Sequence, residues 1–169
     1  MPPRHPVPRL WLMTDERIGD RLWQAVHRMP RGSGIVFRHY ATPALERRRL
    51  FARLLRIARR RELLLVRAGE MRLAGEMGTH GRRGAGVTTW AAHSRREAVI
   101  GLRHGAVVLF ISPVFPTRSH PGSAALGVRR ATAIARGLPA QRIALGGMDR
   151  QRFARLTGFD GWAAIDAWL

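Results

Sequence analysis

VVLFISPVFPTRSHPG, the stretch from Val107 to Gly122, decides how the chain is read. Val107 to Ile111 is an unbroken apolar run of strand length, as expected of a strand buried on both faces. From Ser112 the composition turns to prolines and hydroxyls, and a helical pattern follows from about Gly127. Strand, polar loop, helix is the unit that builds α/β barrels and doubly wound sheets, and in both the chemistry sits on the loop after the strand. Thr117, Ser119 and the backbone around Gly122 could offer donors to an anion. A rigid proline turn with a helix cap is the competing reading, and the local sequence leaves both open.

The same unit recurs on either side. Towards the C-terminus, Val128, Ala131, Ile134 and Ala135 keep helical spacing until Gly137. Arg142 to Leu145 reads as a strand leading into Gly146-Gly147, Asp149 caps a helix to about Leu156, and Gly161 to Ile165 is a last strand. Towards the N-terminus, Ser94 and Glu97 form a capping box that opens a helix ending near Gly105. Gly86 to Trp90 is a β-branched strand candidate, Thr79-His80 a very short one, and Glu70 to Glu76 a short helical piece. Leu63 to Val66 is another strand. Before it, Thr42 as cap and Pro43 at the first position start a long helix. Its apolar stripe is Leu50, Phe51, Leu54, Leu55, Ile57 and Ala58, with Arg47, Arg48, Arg53, Arg56 and their neighbours mostly on the other face. Ile35 to Phe37, a helix from about Gly19 to Arg28, and Leu10 to Thr14 complete the pattern. Regular strand–helix alternation predicts one domain over 1–169 around a parallel sheet.

Composition narrows the function classes. With 169 residues and 46% hydrophobic content, a single core is expected. There is no cysteine, hence no disulfide framework and no thiolate metal site. The first residues lack the apolar core of a signal peptide, and no apolar run is long enough to span a membrane, so a cytoplasmic protein with no membrane partner is expected. The net charge of +19 invites a nucleic-acid reading. However, all 30 basic residues are arginine and asparagine is absent too, the mark of a GC-rich coding sequence. Solvated arginine faces and a non-specific, salt-sensitive affinity for nucleic acid are the expectation.

Gly146-Gly147 after a strand suits close backbone approach to a phosphate at a helix N-terminus, although a lone Gly-Gly is more often a turn. Its company gives it weight. His93-Ser94-x-x-Glu97-Ala98, the Ser-Pro-Val-Phe-x-Thr-x-Ser run from Ser112 to Ser119, Ile143 to Met148, and Gly158-x-Asp160-Gly161-x-Ala163-x-Ile165 together resemble the thiamine phosphate synthase and TenI (thiazole tautomerase) family. The resemblance covers roughly His93 to Ala167 and is fainter, but in order, before it. It implies a compact (β/α)₈ TIM-type barrel. The chain offers eight strand candidates but falls short of the roughly 250 residues typical of such barrels. Helices three, four and eight should therefore be shortened or missing.

By resemblance the activity is the joining of hydroxymethylpyrimidine pyrophosphate to thiazole phosphate, with magnesium held by carboxylates, and the partner is a small phosphorylated thiamine precursor or thiamine phosphate. The chain departs from that pattern at several points. Only Arg38 survives of the second-strand motif. Arg67-Ala68-Gly69 stands where the third strand should end in Asn-Asp, and His80 to Gly84 contains no aspartate. His120 replaces a lysine, Asp166 a phosphate-binding serine, and Pro113 the tautomerase histidine. The carboxylates that magnesium needs are thus not found, so no cofactor is assigned. Arg38, Arg67 and Arg83 are candidates to neutralise a pyrophosphate in its place. Arg38, His93 and His120 are the candidate catalytic residues, the histidines as proton carriers. Ser112, Thr117, Ser119, Gly122, Gly146 and Gly147 are candidates to hold phosphate, with Asp166 set against it, and His80 reads as structural. A weakened synthase and a barrel that binds or regulates without turnover both fit.

Overall fold

The structure, a computed structural model, describes residues 7–117 and 124–169. Eight parallel strands follow one another round a closed barrel, each paired with its neighbour in sequence and the last with the first. They are β1 (Leu10–Thr14), β2 (Gly34–Phe37), β3 (Leu64–Ala68), β4 (Gly78–His80), β5 (Val87–Ala92), β6 (Val108–Ile111), β7 (Gln141–Leu145) and β8 (Gly161–Ala164). The scrap at Thr79-His80 is a true strand: Thr79 pairs with Arg67 on one side and with Thr88 on the other. Among the described residues five helices lie outside: α1 (Arg21–Arg28), α2 (Ala44–Arg60), α3 (Arg95–Arg103), α4 (Gly127–Ala135) and α5 (Arg150–Ala154). No helix links β3 to β4 or β4 to β5, and a 3-10 turn, Asp166–Trp168, stands where an eighth would be. Those are the three shortenings that the chain length demands.

Alternation along each strand divides the side chains into two populations. Trp11, Met13, Val36, Val66, Ala68, Val108, Phe110, Ile143 and Ala163 fill the barrel interior. Trp11 meets the Phe110 ring edge-on at 5.3 Å, and Gly34 makes room for it, since a Cβ there would lie 2.3 Å from the indole. The outward residues pack under the helices in two groups. Leu12, Ile35, Phe37 and Leu65 meet Leu22, Val26, Phe51 and Leu54 of α1 and α2. Leu109, Ile111 and Ala144 meet Ala98, Ala131 and Ile134 of α3 and α4. The terminal turn closes the side between them, with Trp168 stacked on Trp162 at 5.0 Å and donating from Nε1 to the Trp11 carbonyl at 3.1 Å.

Three local expectations are corrected. Glu70 to Glu76 forms turns, not a helix. Gly69 and Gly75 both take positive φ, and the Glu76 carboxylate folds back onto Arg67 at 2.5 Å and onto the Leu73 amide at 3.1 Å. Thr42 does not cap α2; its amide and hydroxyl both donate to Glu16 Oε1, at 3.0 and 3.1 Å. Arg47 is not on the solvated face. It is buried under the C-terminal ends of β2 and β3, donating to the Ala68 carbonyl at 2.7 Å and lying over the Phe37 ring. The Ser94 cap holds, its side chain accepting from the Glu97 amide, while Glu97 Oε2 reaches past the cap residue's own amide to accept from that of His93 at 2.9 Å.

Candidate functional site

The loops at the C-terminal ends of the strands enclose a cleft of ≈ 1070 Å³. That is the scale of a small-molecule site, roughly 300–1,000 Å³. Its two walls are built from different ends of the chain.

One wall follows β1 and β2. Arg38 is held by two bonds, Nε to the Thr14 carbonyl at 3.0 Å and Nη2 to Asp15 Oδ2 at 3.2 Å. Burial pulls its pKa down and the charge of Asp15 opposes that, yet a guanidinium keeps its proton. Asp15 also takes Arg17 Nη2 at 2.6 Å. Burial pushes the Asp15 carboxyl up, but the hydrogen bond and charge of Arg17, with the charge of Arg38, outweigh it and leave the group below the ordinary carboxylate value. Tyr40 adds an exposed phenol to the same rim. His39, one residue earlier, turns away: it bonds Thr14 Oγ1 at 3.0 Å and stacks on Phe37.

The other wall is the loop after β6 laid against the loop after β7. Gly146 and Gly147 take φ of +97° and +59°. A Cβ on Gly146 would sit 2.7 Å from Pro113 Cα, and one on Gly147 2.6 Å from the Pro116 carbonyl oxygen. Glycine is therefore required twice over, by conformation and by contact. The Gly146 and Gly147 amides donate to no described protein group, while Ser112 and Thr117 line the same wall. Arg152 folds from α5 onto the Gly147 carbonyl and over the Phe115 ring. His93 stands between the walls, its Nδ1 donating to the Ser112 carbonyl at 2.7 Å. At the bottom lies His80, bonded through Nδ1 to Thr89 Oγ1 at 2.8 Å and set edge-on to Phe110. Burial, helped by the Arg38 charge, pushes its pKa down to about 4, so it is neutral at physiological pH.

Arg38, His93, Ser112, Thr117, Gly146, Gly147 and Asp166 thus all line one cleft. Arg67 does not. Val66 and Ala68 face the barrel interior, so Arg67 faces outwards, where Glu76 holds it at 2.5 Å. Arg83 is exposed on the connection between β4 and β5, away from the cleft lining. Ser119, His120 and Gly122 lie outside the described residues. Tyr40, Arg152 and the floor position of His80 were not singled out by sequence reasoning. For Arg152 a signal existed, because it follows the Asp149 cap by three residues and its amide bonds that cap at 2.8 Å.

The magnesium implied by resemblance has no matching donor set here. Among the described residues no three His, Cys, Asp or Glu side chains come together. Asp15 is taken by two arginines, Glu16 by the amides of Ala41 and Thr42, and Asp149 by the start of α5. A hard divalent cation needs several free oxygens at one point.

A closed eight-stranded parallel barrel with a polar cleft at the C-terminal ends of its strands defines a compact TIM-type protein. Residues 84–168 match the family model for thiamine monophosphate synthase, TMP-TENI; that is half of the chain, and the chain belongs to this family. Among solved structures it is similar to a thiamine phosphate pyrophosphorylase from Pyrococcus furiosus, with 20% identity over 94% of this chain and 86% of that one and a TM-score of 0.79. It is also similar to a native KDPGal structure, with 14% identity over 96% and 84% of the two chains and a TM-score of 0.64. A cube-shaped designed protein cage gives 14% identity over 95% and 64%, with a TM-score of 0.65. At these identities the structural likeness speaks for the fold alone. A comparison with curated proteins finds no match.

Proposed function

We propose that the protein is a thiamine phosphate synthase-like transferase whose cleft takes phosphorylated thiamine precursors and whose turnover is slow. The observation that carries this reading is the meeting of Arg38, Ser112, Thr117 and the Gly146 and Gly147 amides around one cleft. Amides and hydroxyls on one wall suit a phosphate, and a guanidinium on the other suits a second anionic group such as a leaving pyrophosphate. His93 is the nearest proton carrier to this wall, since its Nδ1 is fixed by the Ser112 carbonyl and its other ring nitrogen remains for exchange. Arg38 supplies charge but cannot bridge phosphate oxygens as a metal does, which is why slow chemistry is expected. The reading takes the protein as cytoplasmic; no helix among the described residues is long and apolar enough to cross a membrane.

A second reading, binding or regulation without turnover, is favoured by the absence of a carboxylate donor set among the described residues. One experiment separates the two. The protein is mixed with the pyrimidine pyrophosphate and thiazole phosphate, thiamine phosphate is followed, and thermal shift is recorded with each compound alone. Shift with slow product formation supports the transferase, shift without product supports the binder, and no shift with any phosphate refutes both.

A further inference from the structure

Seven of the 17 residues of α2 are arginine, against 30 in the whole chain of 169. A GC-rich coding sequence explains arginine in place of lysine, but it does not gather arginine onto one helix. Phe51, Leu54, Leu55 and Ala58 turn inward to the core, and Arg47 is buried with them. Arg49, Arg53, Arg56 and Arg60 are exposed. On a helix of 3.6 residues per turn these four fall within about 60° of one another and form a row about 16.5 Å long. None of them lines the cleft. We propose that this row is a docking surface for a nucleic acid duplex, which it holds by the phosphates without reading the sequence. The inference stands apart from whatever the cleft binds.

The row works against the stability of its own helix. Arg49 and Arg53 are spaced i, i+4, as are Arg56 and Arg60, and Arg53 and Arg56 are spaced i, i+3, so like charges are neighbours throughout. Glu46 is the only carboxylate of α2, and among the described residues none of the four arginines is in an ion pair. Glutamine or alanine would serve an exposed helix position without the repulsion. One member is also held in place. The Arg53 guanidinium lies over the Trp23 ring of α1, 3.9 Å from its centroid. Stacking occupies the face of the guanidinium and leaves its in-plane N–H fork for a phosphate. The length suits a duplex, since the row spans about five base pairs at 3.4 Å each. Because Arg53 covers Trp23, this face offers no free ring on which an unpaired base could stack, which favours a duplex over a single strand. A membrane fits less well. The apolar stripe of α2 is turned to the core, and Leu45 alone of its large apolar side chains is strongly exposed.

The test is fluorescence anisotropy with a labelled DNA duplex of about 20 base pairs, longer than the row, over a series of salt concentrations. Two variants each lose four exposed charges, so that net charge is matched. One carries Arg49→Gln, Arg53→Gln, Arg56→Gln and Arg60→Gln on α2; the other carries Arg96→Gln, Arg103→Gln, Arg129→Gln and Arg130→Gln on α3 and α4. The α2 variant should bind at least about tenfold more weakly than the unmodified protein at low salt, and its slope of log K against log salt should fall by about three to four. The α3–α4 variant should lose less than about threefold. Without DNA the α2 variant should melt no lower than the unmodified protein, because repulsion along the row is relieved. Should it melt lower, the triple variant that keeps Arg53 on Trp23 must reproduce most of the loss. Equal losses in the two matched variants, or no binding of the duplex by the unmodified protein at low salt, overturn the inference. So does tighter binding to phosphatidylserine vesicles than to the duplex through the same four arginines, which assigns the row to a membrane surface. Each of these outcomes leaves the cleft reading standing.

Discussion

Asp160 joins β7 to β8 through a single carboxylate. Its Oδ2 accepts from the Arg142 amide at 2.8 Å and Nε at 2.9 Å, and its Oδ1 from Nη2 at 2.9 Å. The Arg142 side-chain hydrogen bonds hold the carboxyl below its ordinary 3.8, even though burial opposes them. A depressed carboxyl stabilises the fold above its unfolded pKa and loses that contribution as pH falls through the folded value. Asp160→Asn should therefore cost about 1–2 kcal/mol near neutrality, read as a lower urea midpoint. The gap between variant and parent should narrow at about pH 3, below the unfolded value. Gly147→Ala places a methyl group where φ is +59° and where the Pro116 carbonyl oxygen stands 2.6 Å away. A loss of about 1–3 kcal/mol in denaturant titration is expected, together with weaker phosphate binding. Asp166 is exposed at the cleft rim, so its repulsion of a phosphate is screened by solvent. Asp166→Ser should tighten thiazole phosphate binding by about two- to fivefold at low salt, an advantage that fades as salt is added.

At the scale of elements, α2 ends on an unusual residue. Glu62 takes φ of +56°, the conformation glycine normally supplies after a helix, and its carboxylate gains only an exposed pair with Arg31 at 3.2 Å. Glu62→Gly should raise stability by up to about 1 kcal/mol, seen as a higher melting temperature with α2 otherwise unchanged. The elements themselves were largely legible. β1, β3 and β6 are buried on both sides, so they appear as unbroken apolar runs, and Ser94 with Glu97 marks a helix start in the sequence alone. Glu70 to Glu76 was not legible, because a carboxylate that folds back onto an arginine of the preceding strand looks in sequence like part of a helical turn. The candidate site was legible in its motifs but not in its side-chain directions. Arg67 and Arg38 both close a strand region, yet one residue of strand parity sends Arg67 outwards to Glu76 while Arg38 lines the cleft. Arg47 was misjudged for a related reason: its face of the helix depends on where α2 crosses β2 and β3.

For the whole molecule, the barrel collects eight loops at one end and so gathers residues from Met13 to Asp166 into one cleft. The remaining arginine surface is a separate matter. With a net charge of +19, retention on a polyanion such as heparin should be strong at low salt and fall steeply as salt rises, whatever ligand the cleft holds. The central claim is that the cleft holds a phosphorylated thiamine precursor with guanidinium, amides and hydroxyls rather than through a divalent cation. Its most direct test is a calorimetric titration of the pyrimidine pyrophosphate, run once with magnesium and once with EDTA, on the unmodified protein and on Arg38→Gln. The account predicts affinities that agree within about twofold between magnesium and EDTA, and a loss of about tenfold or more in Arg38→Gln under both conditions. Binding that appears only with magnesium, and that Arg38→Gln leaves intact, would contradict it.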